Sequence, residues 1–115
     1  MDWWRAMPKL EYSPAALEKL GAIYRYIAEE LQNPQGAANT VNAIRKKIRS
    51  LKKMPGIGPP LTSRSAEVPE AFRNARVLLC GHYLAVYQFD GKTVRVLCFY
   101  HTSKDYVRHL FELNR

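Results

Sequence analysis

A chain of 115 residues, of which 47% are hydrophobic, is long enough for one domain with a modest core and too apolar to remain disordered. Its net charge of +8, from 18 basic and 10 acidic residues, points to a polyanionic partner, either nucleic acid or an acidic protein. No apolar run approaches the roughly 20 residues that span a bilayer, and the first six residues lack the apolar middle of a secretion signal. We therefore expect a cytoplasmic protein with no membrane contact.

The first half of the chain predicts a strand and then a helix. We interpret residues 1–8 as an N-terminal extension and residues 9–115 as a single domain. Alternating polar and apolar residues predict a short strand over Lys9–Tyr12. Ser13 and Pro14 are the preferred N-cap and first residue of a helix, which ends at Asn33 because Pro34 follows. One apolar stripe follows at helical spacing: Leu17, Leu20, Ile23, Tyr24, Ile27 and Leu31.

A second amphipathic helix is predicted from about Pro34 to Lys53, so the two helices form a hairpin that packs on a sheet. Its apolar positions are Ala37, Val41, Ile44, Ile48 and Leu51. Most of its other residues after Ile44 are basic, namely Arg45, Lys46, Lys47, Arg49, Lys52 and Lys53. Such a run is either a solvated face or a surface for phosphate groups, and the lack of acids within it favours the second interpretation.

The second half predicts an antiparallel meander after a Pro- and Gly-rich break at residues 54–60 and a surface loop over residues 61–71. Three apolar runs are separated by Gly81-His82 and by Asp90-Gly91-Lys92, which are turn sequences. In the last strand, strict alternation puts Val94, Val96, Cys98 and Tyr100 on one face. The other face then carries Arg95, Leu97, Phe99 and His101.

The remaining features of this half concern the cysteines, the chain end and the aromatic residues. Cys80 and Cys98 match no metal-ligand spacing, so we expect buried thiols, with no metal and no cofactor. Thr102-x-x-Asp105 resembles a capping box that opens a short C-terminal helix. We interpret the histidines outside the last strand, His82 and His109, as solvent-facing, and four tyrosines as packing residues: Tyr24, Tyr26, Tyr83 and Tyr87.

The ordered set of these segments resembles the RelE/ParE family, the toxins of bacterial type II toxin–antitoxin modules, which includes RelE/StbE-like plasmid stabilisation proteins. The likeness runs from about Lys9 to Phe111. The segments that carry it are Ile23 to Pro34, Ile44 to Leu51 with Pro55-x-x-Gly58, Phe72-Arg73, Tyr83 to Tyr87, Val94-x-Val96, and Lys104-Asp105-Tyr106. The resemblance implies an α+β fold, with an N-terminal strand, an α-helical hairpin on an antiparallel three- to four-stranded sheet, and a short C-terminal helix.

The resemblance also implies a cognate antitoxin as partner and one of two activities. RelE-like members cleave mRNA on the ribosome, and ParE-like members act on DNA gyrase. Cleavage of RNA without a metal requires proton transfer and a cation near the phosphate. His101 and Tyr106 are the candidates for proton transfer, with Arg73 and Lys104 as catalytic cations. The candidates for RNA binding are Arg45, Lys46, Arg49, Lys52, Lys53 and Arg76.

Two departures from the ribonuclease pattern weaken this assignment. Leu84 stands where ribonucleolytic members carry an arginine, and Thr102-Ser103-Lys104 stands where they carry another. Each candidate also has a structural interpretation, since a histidine at a strand end and a tyrosine at helical spacing are usually packing residues. Despite these departures, the prediction is a metal-independent, ribosome-dependent endoribonuclease. Its alternatives are a non-catalytic inhibitor of gyrase and a degenerate toxin that only binds its antitoxin.

Overall fold

A computed structural model describes residues 7–63 and 68–103 of the chain. Strand β1 (Lys9–Tyr12) leads into helix α1 (Pro14–Arg25), which continues as a π-helical turn over Tyr26–Glu30. Helix α2 (Pro34–Arg49) is extended by a 3₁₀ turn over Ser50–Lys52. Two further 3₁₀ turns, Leu61–Ser63 and Glu70–Phe72, precede the strands β2 (Arg76–Cys80), β3 (Tyr83–Phe89) and β4 (Thr93–His101).

The four strands form one mixed sheet in the order β1-β4-β3-β2. Strands β2, β3 and β4 form the predicted antiparallel meander, and Gly81 and Gly91 adopt the positive φ angles of 63° and 95° at its turns. The predicted α+β fold is confirmed, but the sheet is not wholly antiparallel because β1 pairs in parallel with β4. A strand that enters through a helical crossover is free to lie parallel to its neighbour, unlike one that enters through a hairpin.

Helix α1 begins at its predicted cap, Ser13, whereas the cap of helix α2 is Asn33, which was predicted only as the residue at which the first helix ends. The Ser13 hydroxyl accepts a hydrogen bond from the Ala16 N–H (3.0 Å), and the Asn33 side-chain carbonyl accepts one from the Gly36 N–H (2.9 Å). Helix α2 buries the predicted residues Ala37, Ile44 and Ile48, with Leu51 just beyond its end. The helical hairpin is thus the arrangement that the two stripes predicted.

The buried face of α1 is offset from the predicted stripe. Its centre is Ala16, Leu20 and Ile23, whereas Leu17, Tyr24 and Leu31 are 49%, 41% and 56% exposed. The buried face is narrower than the predicted stripe. The π-helical turn also rotates Leu31 away from the direction that a regular helix would give it. Tyr26 is also exposed, so the interpretation of Tyr24 and Tyr26 as packing residues is wrong.

A β-bulge at Leu97 changes the faces of β4. Val86 pairs with Cys98 and Tyr87 pairs with Val96, which leaves Leu97 without a residue opposite it. Because a bulge adds one residue to one strand, side chains beyond it point to the face opposite to that expected from strict alternation. Val94, Val96 and Phe99 therefore pack towards the helices, and the predicted grouping of Val94 and Val96 with Cys98 and Tyr100 is wrong.

The sheet carries a hydrophobic cluster on each face. The cluster beneath the helices includes Ile44, Ile48, Tyr87 and Phe99. On the other face, Leu61 and Val68 from the segment after the break cover apolar side chains of the meander, including Val77, Val86 and Cys98. In the part of the chain that the structure describes, no helix has the length and apolar character needed to cross a membrane.

Candidate functional site

His101 lies at the end of β4, where it joins a small cluster of aromatic rings. It pairs with Tyr83 across the sheet, and the two ring centroids are 5.4 Å apart in an edge-to-face arrangement. The exposed His82 ring is stacked parallel to His101 at 6.2 Å. His101 is only partly buried, so its ring is accessible at the tip of the meander.

Ser103 orients the His101 ring. Its backbone N–H donates to Nδ1 at 3.2 Å, and its hydroxyl oxygen lies 2.7 Å from the same nitrogen. A backbone N–H can only donate, so Nδ1 is the acceptor and the neutral ring carries its hydrogen on Nε2. The group that His101 presents to its surroundings is therefore an N–H donor on Nε2.

Arg73, the first predicted catalytic cation, lies at the other end of the sheet. It is exposed at the end of the 3₁₀ turn Glu70–Phe72. Gln88 holds this segment against the end of β3, because its side-chain amide donates to the Ala71 carbonyl (3.1 Å) and to the Asn74 side chain (2.8 Å). Gln88 follows Tyr83 by five residues of strand, which is about 16 Å at the usual rise per residue. The structure does not bring Arg73 to His101.

The other two predicted catalytic residues, Lys104 and Tyr106, lie outside the described residues, as does the predicted C-terminal helix. Leu84, where the resemblance would place an arginine in a ribonuclease, is 2% exposed in the cluster on the face away from the helices. Among the described members of the predicted catalytic set, His101 therefore stands without a nearby arginine.

Arg76, predicted as an RNA-binding cation, directs its guanidinium group into the proline- and glycine-rich break. Its Nη1 donates to the carbonyl oxygens of Gly58 (2.7 Å) and Gly56 (3.2 Å). The side chain therefore joins the start of β2 to this loop, a role that no feature of the sequence indicated.

Tyr87 holds the same loop from inside the core. Its hydroxyl donates to the Pro55 carbonyl (2.8 Å) and accepts a hydrogen bond from the Gly58 N–H (3.0 Å), while its ring is fully buried. Burial raises the pKa of Tyr87, and the Gly58 hydrogen bond and the Arg76 charge oppose that effect. The sequence predicted a packing residue, which is confirmed, but not the hydrogen bonds of its hydroxyl.

The basic residues of the second helix form one surface. Arg45, Lys46, Lys47, Arg49 and Lys53 are exposed, and Lys52 is partly buried. Arg45 lies against the sheet, with its guanidinium carbon 5.3 Å from the centroid of the Tyr12 ring, a cation–π distance. Burial raises the pKa of the Tyr12 hydroxyl, and the charges of Arg45 and Arg49 act in the opposite direction. The remaining cations of this surface are available to a partner.

A helical hairpin over a four-stranded sheet, with a basic second helix, is the architecture that the resemblance to the RelE/ParE family implied. More closely, the sequence matches the family described as the ParE toxin of the type II toxin–antitoxin system parDE over residues 10–106, and the chain belongs to that family. The predicted resemblance is thereby confirmed at the level of the family.

A solved structure supports the fold. The chain is similar to a protein of the chromosomal ParDE toxin–antitoxin system from P. aeruginosa, with 24% sequence identity and a TM-score of 0.67. The match covers 84% of this chain and 97% of that protein. A search of curated proteins gives no match.

Proposed function

We propose that this toxin arrests growth by binding DNA gyrase and that it does not cleave RNA. Membership of the ParE family supports the target, since the gyrase-directed members of the wider group are the ParE-like ones. The observation that carries the proposal is the separation of His101 from Arg73 and Arg76, the predicted arginines of the site that the structure describes. Arg73 belongs to the segment that Gln88 holds, and Gln88 is about 16 Å along β3 from Tyr83, which pairs with His101. Arg76 is bonded to Gly56 and Gly58, and Leu84 is buried.

The positive charge of the second helix is as suitable for an acidic protein target as for a nucleic acid. Six basic residues occur between Arg45 and Lys53 with no acid among them, and acidic protein surfaces attract such a run by the same long-range field that attracts phosphates.

The second candidate is the ribosome-dependent endoribonuclease, and the His101 cluster favours it. The Nε2–H of His101 lies beside Tyr83 at an accessible strand end, and Ser103 fixes the tautomer. A neutral imidazole in this arrangement can donate a hydrogen bond from Nε2 to a phosphate oxygen or to an oxyanion that develops during RNA cleavage. Lys104 and Tyr106 follow His101 by three and five residues in the sequence, which is why they belong to this candidate site.

The partner in the cell is proposed to be a small antitoxin, with a disordered segment that folds across the hairpin and sheet. Exposed apolar side chains support such a contact, namely Leu17 and Tyr24 on the first helix and Leu31 just after its π-helical turn. A chain that only binds its antitoxin, without toxicity, remains the third alternative.

One experiment separates these functions. Purified toxin is added to a gyrase supercoiling assay and, in parallel, to a translation reaction read by ribosome toeprinting. We expect inhibited supercoiling and intact mRNA, with His101→Ala as active as the wild type and the antitoxin relieving inhibition. New cuts within codons that disappear in His101→Ala would instead establish the ribonuclease, and no effect in either assay would leave the degenerate toxin.

A further inference from the structure

The break after the second helix exposes two large apolar side chains. Met54 and Ile57 are 57% and 52% exposed. The Ile57 N–H donates to the Met54 carbonyl at 3.1 Å, so the two residues stand three apart in one tight turn. Lys52 and Lys53 immediately precede this turn, and Arg49 lies one helical turn earlier. The loop Met54–Gly58 thus combines an apolar pair with adjacent positive charges.

This loop has a fixed backbone despite its exposed side chains. The carbonyl oxygens of Pro55, Gly56 and Gly58 accept hydrogen bonds from Tyr87 and Arg76, and the Gly58 N–H donates to the Tyr87 hydroxyl. Both of these side chains belong to the sheet, and Tyr87 is fully buried. A surface held in one conformation before it meets a partner loses less conformational entropy on binding.

We propose that the loop Met54–Gly58 is the apolar centre of a protein-docking surface, with Arg49, Lys52 and Lys53 as its cationic rim. The partner is a protein surface that offers an apolar recess surrounded by acidic side chains. This inference rests on the proposed function, because it assigns the face by which the toxin contacts its protein target. An apolar centre with a charged rim is the usual anatomy of a protein–protein interface, and methionine is enriched at such centres.

Nucleic acid fits this surface less well. Single-stranded nucleic acid is bound through aromatic rings that stack on bases, together with cations along the backbone. The exposed residues of the loop Met54–Gly58 are aliphatic or proline and glycine, and they offer no ring system for stacking. Two aliphatic side chains at the centre of the surface therefore favour a protein recess.

The test compares two surface variants for binding to the purified subunits of DNA gyrase by titration calorimetry. We expect Met54→Ser with Ile57→Ser to weaken binding roughly 30-fold, the loss typical of central apolar anchors. Leu31→Ser is the matched control, because Leu31 is equally exposed but lies at the other end of the second helix, about 24 Å away at the usual rise per residue. Unchanged thermal midpoints would show that both variants are folded.

Each outcome bears on the inference. If the wild type binds gyrase and the Met54/Ile57 variant binds equally well, the docking surface is wrong while the proposed function stands. If the wild type binds neither subunit, the proposed function fails and the inference fails with it. In that case, the double variant Lys52→Gln and Lys53→Gln is tested for binding to an RNA oligonucleotide. Loss of RNA binding in that variant but not in the Met54/Ile57 variant would assign the surface to nucleic acid.

Discussion

At the scale of single residues, Gly58 depends on the absence of a side chain. A Cβ at this position would overlap the Val77 carbonyl oxygen and would lie 2.7 Å from the Tyr87 hydroxyl. The first of these atoms is backbone in the middle of a strand, so it cannot move without disturbing the sheet. Gly56, two residues earlier in the same loop, has no atom within 4 Å of such a Cβ.

We therefore expect Gly58→Ala to lower the free energy of unfolding by about 1–3 kcal/mol, as overpacking usually does. Gly56→Ala is the control and should leave stability unchanged or slightly raised, because alanine restricts the unfolded chain. Urea unfolding followed by circular dichroism measures both variants. Equal midpoints for the two variants would contradict the close packing of the loop against Tyr87.

At the scale of secondary-structure elements, the two helix caps differ in what else they bind. Ser13 is largely buried, and its hydroxyl also donates to the carbonyl of Leu97, the bulged residue of β4, at 2.6 Å. The cap of the first helix is thus joined to the irregular point of the sheet. Asn33, which caps the second helix, is exposed, and the described hydrogen bond of its side chain lies within its own turn.

Ser13→Ala should accordingly lower the free energy of unfolding more than Asn33→Ala does. Loss of an N-cap costs about 1 kcal/mol, and an unpaired buried carbonyl adds about 1–3 kcal/mol. We expect the Ser13 variant to lose about 2–4 kcal/mol and the Asn33 variant no more than about 1 kcal/mol. Chemical denaturation of the two variants beside the wild type is the measurement. A smaller loss for Ser13→Ala than for Asn33→Ala would show that the bond to Leu97 does not contribute.

The elements that could be predicted are those with local causes. The N-cap bonds of Ser13 and Asn33 and the glycines of the two turns act within three or four residues, so these local roles follow from the sequence. The bulge at Leu97 could not be predicted, because it arises from pairing with β3 and from the bond to Ser13, a residue 84 positions away. The same holds for Tyr87, whose hydroxyl meets a loop about 30 residues earlier in the chain.

At the scale of the whole molecule, the family and the separation of Arg73 from His101 both follow from the order and the direction of the predicted elements. The order of strand, hairpin, break and meander is a linear property, and the ParE family match confirms what it predicted. Whether Arg73 meets His101 depends on the direction of each strand. Arg73 precedes β2 and His101 ends β4, and the antiparallel meander places these two points at opposite ends of the sheet.

The two thiols link the stability of the whole fold to pH. Burial raises the pKa of Cys80 and of Cys98 from 9.0 to about 11. The charge of Lys47 opposes this shift at Cys80, and a hydrogen bond with Tyr100 opposes it at Cys98. Since the folded thiols bind their protons more tightly than the unfolded ones, their contribution to stability is complete below pH 9 and is lost as the pH rises through about 11.

We therefore expect the urea midpoint of the wild type, measured in a reducing agent, to fall as the pH rises from about 8.5 to about 10.5. The double variant Cys80→Ala and Cys98→Ala should show a shallower fall over the same range. Burial raises the pKa of Tyr12, Tyr83, Tyr87 and Tyr100 as well, and these residues are present in both proteins. Because Cys80 contributes to the shift at Tyr12 and Cys98 to the shift at Tyr100, the difference between the two curves reports the thiols together with their coupling to these two tyrosines. Alanine at two buried positions lowers the absolute midpoint through lost packing, which is why the slope is the readout. Parallel curves would mean that the thiols ionise as readily in the fold as in the unfolded chain, and the two clusters on either face of the sheet would then admit water.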